Sequence, residues 1–275
     1  MEMKRLVTFI LFIFSLQAMG FGGSAGVYDL SSEDRVLAAK IEHNQSDQFL
    51  DVQMVPSGSA VLTESGDLKN QGIQGILHAA SGSMTRNDGV FKPSIEGITN
   101  SIKNSLILAR EKGYSSVAIP FIGGGIFLGR LGITKEELAY HIAKASLHHS
   151  RNLKIVFVGY TEEDFSILEE ARERALKEVS FKKKALDFIL MSASAKKRSS
   201  VAHGSLVDYQ VHNCELVINP ANTEVAFGGG LSGVIARASG QSYQIDRDAQ
   251  ELIQEIANER SLSKKSVEKL KDLSL

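Results

Sequence analysis

The chain has 275 residues, of which 43% are hydrophobic and 23% charged, and this composition predicts a globular fold with one substantial core. Its 31 Lys and Arg residues balance 32 Asp and Glu residues, so the charge gives no reason to expect nucleic acid as a partner. Cys214 is the only cysteine, which excludes an internal disulfide and a cluster of thiolate metal ligands. The histidines lack the spacing of a metal site, so we expect no metal and no cofactor.

Residues 1–26 have the pattern of a secretory signal peptide. Basic residues precede an apolar run at 6–16, which is shorter than the roughly 18 residues that span a membrane. Small residues allow cleavage after Gly20 or after Gly26. We therefore predict export to the periplasm or the medium, no membrane segment in the mature form, and a single domain over 27–275. An uncleaved N-terminal anchor is the alternative.

Apolar periodicity predicts alternating strands and helices after the N-terminal stretch. Short apolar runs bounded by Gly and Ser indicate strands, and apolar residues three and four apart indicate helices. In chain order we expect a helix in 27–56, strands at 59–65 and 72–81, a helix from 95 to 113, a strand at 115–122, a helix at 135–149, a strand at 153–160, a helix at 162–178, a strand within 180–200, a strand at 214–219 and two surface helices in the last forty residues. Thr134 and Thr161 each begin a Thr-x-x-acid capping box. This alternation predicts an α/β fold, a three-layer α/β/α sandwich with a mixed, mostly parallel sheet.

Two glycine-rich loops follow strands of this predicted sheet. Gly123–Gly125 come directly after the strand at 115–122, and Gly228–Gly230 follow the strand at 214–219 and open a helix. Glycine loops at strand ends and helix N-termini present backbone N–H groups to phosphates, so the pair indicates a diphosphate ligand. The second loop also satisfies G-x-G-x-x-G, which leaves a dinucleotide-dependent oxidoreductase as an alternative.

The stretch "VDYQVHNCELVINPANTEVAFGGGLSGVIARASG" at 207–240 resembles the first half of the macro domain, a family that binds ADP-ribose. That half has a strand ending in Asn-Ala-Ala-Asn, a triple glycine and a helix ending in Ala-Ala-Gly. The stretches "AVLTESGDLKNQGIQGILHAAS", "SLILAREKGYSSVAIPFIGGGIF" and "IVFVGYTEEDF" are similar to the family's second half, in that order. The halves are therefore swapped, with the family's C-terminal half at 57–180 and its N-terminal half at 183–258. We interpret the chain as a circularly permuted macro domain, which a fold tolerates when its original termini lie close together.

The resemblance implies a role for each matching residue. Asp208 matches the acceptor of the adenine amino group, Tyr160 the aromatic on the adenine ring, and Phe127 the aromatic beside the distal ribose. Asn222 matches the asparagine that hydrogen-bonds the distal ribose in hydrolases of the family and is the candidate catalytic residue. The implied ligand-binding residues are Asp208, Tyr209, Tyr160, Asn222, Gly228, Gly229, Gly230, Leu231, Gly123, Gly124, Gly125, Ile126 and Phe127.

Val207 stands where the family has Gly and Pro220 where it has the first Ala, and three positions in or after the glycine loops also differ. The family usually has Ser where Gly123 stands and Gly where Leu128 stands, and one hydrolase subgroup has Asp at the position of Ser232. The resemblance predicts a protein that binds ADP-ribose, or a related nucleotide diphosphate, and hydrolyses mono-ADP-ribosyl linkages. Its partner would then be an ADP-ribosylated protein. A module that binds ADP-ribose without turnover is the alternative.

Overall fold

The computed structural model describes residues 26–28, 54–84, 91–181 and 195–272. Apart from Gly26, the predicted signal peptide lies outside these residues, as do most of the helix predicted in 27–56 and most of the strand predicted within 180–200.

Strands and helices are interspersed along the described residues, and a 3₁₀ helix lies at Gly66–Gln71. The strands are β1 (Gly26–Tyr28), β2 (Ala60–Glu64), β3 (Gly75–Ala80), β4 (Gly82–Met84), β5 (Phe91–Pro93), β6 (Ser116–Pro120), β7 (Lys154–Gly159), β8 (Ser199–His203) and β9 (Leu216–Ala221). The helices are α1 (Ile95–Glu111), α2 (Leu128–Leu131), α3 (Lys135–His149), α4 (Glu162–Phe181), α5 (Tyr209–His212), α6 (Gly230–Ser239) and α7 (Ser242–Asp272).

Most predicted elements are present. Side-chain capping explains why the first residues of α3 and α4 agree with the prediction. Thr134 accepts the N–H of Glu137, whose side chain accepts the N–H of Thr134, so the predicted capping box begins α3. Thr161 and Asp164 make the same pair of hydrogen bonds at the start of α4.

Two predictions about elements were wrong, and a third lies mostly outside the described residues. Residues 27 and 28 belong to a strand, because their backbone pairs with β2. The apolar run of the strand predicted within 180–200 is not described, and a strand lies at Ser199–His203, at the end of that range. The last forty residues contain one long helix, α7, after the end of α6, because no Gly or Pro interrupts Ser242–Asp272.

A seven-stranded sheet has the order β1-β2-β3-β9-β6-β7-β8. The pairs β1–β2 and β2–β3 are antiparallel, and all other neighbours are parallel. Strand β9 lies between β3 and β6 although it comes last in the chain. The expectation that the late strand shares a sheet with 116–120 and 153–159 is confirmed, so the segments 57–180 and 183–258 do not form separate units.

Alternate residues of each central strand face opposite sides of the sheet, as period-two geometry requires. Leu77, Ile119, Phe157 and Ile218 are fully buried on one face with apolar residues of α1, α3 and α4. The opposite face buries other residues, such as Val217, against α6 and the start of α7. Helices therefore cover both faces, which confirms the predicted three-layer α/β/α sandwich. Within the described ranges, no helix has both the length and the apolar character needed to cross a membrane.

A buried arginine ties β8 to the rest of the domain. Arg172 on α4 donates from Nε to Ser199 Oγ at 3.0 Å, and from Nη2 to the carbonyl oxygens of Ser199 at 2.7 Å and Lys196 at 3.0 Å. The guanidinium thus provides hydrogen-bond donors for polar groups at the start of β8. These bonds help to hold β8 in the sheet, because the strand has few apolar residues of its own. This anchor fixes the segment that leads to Asp208.

Candidate functional site

The candidate site lies at the carboxyl edge of the parallel strands. Because β3, β9, β6, β7 and β8 run in the same direction, the loops that follow them meet at one edge, where open α/β sheets bind ligands. Both glycine loops lie there, one after β6 and the other beyond the end of β9.

The pairing of β7 with β8 sets the position of Tyr160, the predicted aromatic on the adenine ring. Gly159 lies opposite His203, and the N–H of Gly204 donates to the carbonyl of Gly159 at 2.9 Å. Tyr160 therefore lies beside the segment that leads to Asp208. The Tyr160 side chain is 76% exposed, which leaves its ring available to stack against a flat ligand.

Asp208 is exposed and begins the short helix α5. Its Oδ1 accepts the N–H of Gln210 at 3.0 Å, which is the arrangement of an N-cap. The ring of Tyr209 is half-buried, packs against Gly72 and lies 6.1 Å from the ring of His212. A role of Tyr209 in ligand binding stays a prediction.

The triple glycine forms the entry to α6. The N–H of Gly228 donates to Ser232 Oγ at 3.1 Å, and Ser232 is buried. Within the described part of the chain, the N–H groups of Gly229, Gly230 and Leu231 donate no hydrogen bond. An added Cβ at Gly229 or Gly230 would meet nothing within 4 Å. The loop therefore presents unobstructed N–H groups at the positive end of a helix.

The second glycine loop turns sharply after β6. Gly123 has φ +80°, and a Cβ there would lie 3.2 Å from Ile98 Cδ1, so the serine that the family usually has would be strained in this loop. Within the described residues, the N–H groups of Gly125 and Ile126 have no acceptor. The Ile126 side chain is 88% exposed at the tip.

Phe127 is fixed at the end of the second loop. Its ring meets the ring of Phe91 edge-on at 4.9 Å, and the guanidinium carbon of Arg130 lies 5.7 Å from its centroid. Arg130 Nη1 also donates to the carbonyl oxygen of Phe91 at 2.5 Å. The aromatic expected beside the distal ribose is therefore held in place before any ligand binds.

Asn222 directly follows β9 and begins a tight turn. Its Oδ1 accepts the N–H of Glu224 at 2.9 Å, and its carbonyl oxygen accepts the N–H of Val225 at 3.1 Å. The side-chain oxygen therefore closes the turn, as Asn commonly does. Asn222 and the triple glycine are the two ends of one short loop at the carboxyl edge.

A buried polar chain beneath this loop was not predicted. Asn219 Nδ2 lies 3.1 Å from His78 Nδ1, and His78 Nε2 lies 2.9 Å from Thr63 Oγ1. If Nδ1 accepts, Nε2 carries the proton and donates to Thr63, whose hydroxyl donates to the carbonyl of Glu64. Full burial lowers the pKa of His78 to about 3. The chain thus joins β2, β3 and β9.

The ring of Phe227 connects this chain to the triple glycine. It lies 5.3 Å from the imidazole of His78, and its N–H donates to Asp246 Oδ1 at 2.9 Å. Burial raises the pKa of the Asp246 carboxyl, and the hydrogen bond from Phe227 opposes that shift. Phe227 and Asp246 were not predicted as site residues, because neither belongs to a recognisable motif. His78 was also missed, although a histidine inside an otherwise apolar strand is unusual and could have been recognised. In the described ranges, no group of three His, Cys, Asp or Glu side chains is placed to hold a metal ion.

We expect the buried imidazole of His78 to make stability depend on pH. Because the pKa of His78 falls from 6.5 to about 3 on folding, the unfolded chain binds more protons in between, and stability should decrease as the pH falls through that range. The slope is at most about 1.4 kcal/mol per pH unit. Urea unfolding midpoints at pH 7.5, 6.5, 5.5 and 4.5 should fall more steeply for the wild type than for His78→Gln. Parallel curves for the two proteins would show that His78 is not buried in its neutral form, because the other titrating groups are common to both.

Comparisons with known proteins agree with this architecture. The family model of the macro domain matches residues 36–138. The chain is 30% identical over 149 residues to an O-acetyl-ADP-ribose deacetylase of Cronobacter turicensis, covering 54% of this chain and 77% of that protein. A deacetylase of the same name from Cronobacter sakazakii is 29% identical over 150 residues, with 76% of its length covered, and one from Shigella dysenteriae is 26% identical over 168 residues, with 88% covered. The chain belongs to the macro domain family.

Proposed function

We propose that the carboxyl edge of the sheet binds ADP-ribose or a closely related nucleotide diphosphate. The observation that carries this proposal is the pair of glycine loops at one edge, each with backbone N–H groups that have no acceptor within the described residues. Two such loops suit two adjacent phosphates. Membership of the macro domain family and the name of the relatives, O-acetyl-ADP-ribose deacetylase, support the same ligand.

The surrounding side chains suit the two ends of that ligand. Exposed Tyr160 and the carboxylate of Asp208 offer a stacking surface and an acceptor for an adenine with its amino group. Phe127 and Asn222 lie on the two loops, where the distal ribose would follow the diphosphate. One oxygen of Asp208 caps α5, so the second oxygen of the carboxylate would accept from adenine.

We further propose that the site hydrolyses a bond at the distal ribose, either an acyl ester or a linkage to a protein. The name of the relatives supports the ester, and the match of Asn222 to the family's hydrolases supports the protein linkage. Asn222 would orient the ribose and the attacking water without changing charge. Ser232 is not a base at neutral pH and is bonded to the N–H of Gly228, so the ligand's own phosphate would have to accept the proton from water.

A module that only binds the nucleotide is the second candidate. Two observations favour it: the Asn222 Oδ1 is engaged by the N–H of Glu224, and Ser232 stands where one hydrolase subgroup has an acid. Turnover separates the two candidates. Wild-type protein that binds ADP-ribose but releases neither acetate from O-acetyl-ADP-ribose nor ADP-ribose from aspartate-, glutamate-, arginine- or serine-linked protein is a binding module.

The order of the segments and the N-terminal stretch extend the proposal. We interpret the late arrival of β9, which occupies the centre of the sheet, as a circular permutation of the family's order. The basic and apolar pattern of residues 1–26 supports export, so the ligand or modified protein would be met outside the cytoplasm.

Calorimetry with ADP-ribose, AMP and NAD in parallel tests the ligand. We expect ADP-ribose to bind most tightly, because it alone offers adenine, two phosphates and an unblocked distal ribose. Tighter binding of NAD, together with hydride transfer to or from it, would instead support an oxidoreductase.

A methyl group at Gly229 should separate binding from folding. Gly229 has φ −80°, and an added Cβ there meets no atom within 4 Å, so Gly229→Ala should keep the wild-type melting temperature. The methyl would protrude where the phosphate approaches, and the Kd for ADP-ribose should rise about tenfold or more. Gly233→Ala is the contrast, because its Cβ would lie 2.9 Å from the carbonyl oxygen of Gly228 and should lower the melting temperature. Unchanged affinity in Gly229→Ala would place the phosphate elsewhere.

Asp208→Asn should weaken ADP-ribose without disturbing α5. The Asn side chain keeps an oxygen for the cap on Gln210, but its second polar group is a donor and cannot accept from the adenine amino group. We expect a loss of about 1.5 to 3 kcal/mol for ADP-ribose, measured by calorimetry, and little change for ribose 5-phosphate. Equal losses for both ligands would show that Asp208 is not at the adenine.

Asn222→Ala should reduce product release by roughly 100-fold or more, as loss of a positioning group can. Because this change also removes the acceptor for the N–H of Glu224, Asn222→Ser is the matched variant: its hydroxyl can close the turn but lacks the amide. Both variants should lose turnover while AMP binding is retained. Turnover restored by serine would assign Asn222 to the turn alone.

A further inference from the structure

The loop between Asn222 and the triple glycine is held from one side by the C-terminal helix α7. Asp246 Oδ1 accepts the N–H of Phe227 at 2.9 Å, and Gln250 Nε2 donates to the carbonyl oxygen of Glu224 at 2.7 Å. One turn apart on α7, these side chains grip two successive parts of the same loop.

The middle of the loop is also fixed by α7. Val225 is fully buried and packs in one apolar cluster with Ala249 and Ile253, which lie on the same helix. From the other side, the N–H of Val55 donates to the carbonyl oxygen of Thr223 at 2.8 Å. Every residue from Thr223 to Val225, together with Phe227, thus has a contact that restrains it.

These restraints act against local strain. Val225 has φ +62°, which is unfavourable for a β-branched residue. Such a conformation persists when the surrounding contacts over-determine it. Without the contacts from α7, the loop would relax toward ordinary backbone angles. Since Asn222 and Gly228 are the two ends of the loop, that relaxation would move both.

We propose that α7 is the positioning element of the site, with Asp246 and Gln250 as positioning residues that hold the loop in its ligand-binding conformation. This inference rests on the proposed function, because its purpose is to aim the N–H groups of the triple glycine and the amide of Asn222 at one ligand. Neither side chain needs to touch that ligand. Both act through the backbone of the loop.

Asp246→Ala and Asp246→Asn separate the acceptor from the charge. Alanine removes the partner of the Phe227 N–H, whereas asparagine keeps an oxygen acceptor at the same place. Asp248→Ala is the matched control, because Asp248 lies on the same helix but accepts from Gln244 within α7. Gln250→Leu removes the second contact with little change in size.

Hydrogen exchange, read without any ligand, tests the loop directly. In Asp246→Ala, the hydrogen-bonded amides of Glu224, Val225 and Gly228 should exchange about tenfold faster than in the wild type, while Asp246→Asn and Asp248→Ala should stay within twofold. Gln250→Leu should speed exchange at 224–227. Wild-type exchange in Asp246→Ala would overturn the inference, whatever the ligand proves to be.

Binding then connects the loop to the site. Asp246→Ala should raise the Kd for ADP-ribose about tenfold and the Kd for AMP less, because AMP lacks the second phosphate and the distal ribose. Asp246→Asn should restore the wild-type values. Faster exchange with unchanged ADP-ribose affinity would also overturn the inference. If wild-type protein binds no ADP-ribose, the proposed function fails, and the exchange data still report whether α7 holds the loop.

Discussion

Strand β9 hydrogen-bonds to β3 on one side and to β6 on the other, and the site takes its geometry from that pairing. Because the three strands are parallel, their carboxyl ends lie at the same edge of the sheet. The loops after β6 and β9 therefore lie close to one another. The pairing is also expected to slow folding. Asn219 and His78 are 141 positions apart along the chain, and contacts of such separation form slowly.

The centre of this arrangement is polar, which is unusual for the middle of a sheet. His78, Thr63 and Asn219 are fully buried, and each would be costly there without its neighbours. Linked in one chain, they specify the register of β2, β3 and β9, because a shift by one residue would turn the polar groups to the opposite face of the sheet. Phe227 directly precedes the triple glycine and contacts the imidazole of His78, so the position of the imidazole helps to fix the start of the glycine loop.

Helix starts could be predicted well from the sequence, whereas strand positions and helix lengths that depend on distant contacts could be predicted only in part. Capping at Thr134 and Thr161 set the starts of α3 and α4, because a cap is decided by residues three positions apart. Strand β8 was not recognised, because its residues have little apolar character and an arginine from α4 supplies hydrogen bonds that hold it. The length of α7 was underestimated because the mostly polar residues 260–265 look like a loop between two helices. They contain no Gly or Pro, so the helix continues through them.

The glycine loops of the candidate site could be predicted because close approach to backbone N–H groups requires glycine. The roles of Asn222, Asp208, Tyr160 and Tyr209 were inferred only through the family resemblance, since strand register decides which of them lie near one another. Asp246 and Gln250 could not be predicted, because on a polar helix they look like any other solvated side chain.

The late position of β9 also matters for how the protein is made. A ribosome must add residue 221 of 275 before β3 and β6 can be bridged, so the sheet has no continuous centre during most of translation. Until then, β3 and β6 have no strand between them, although helices α1, α3 and α4 are already available to cover one face of the early strands. The order of segments therefore makes closure of the sheet a late event, which can follow only when synthesis of the chain is nearly complete.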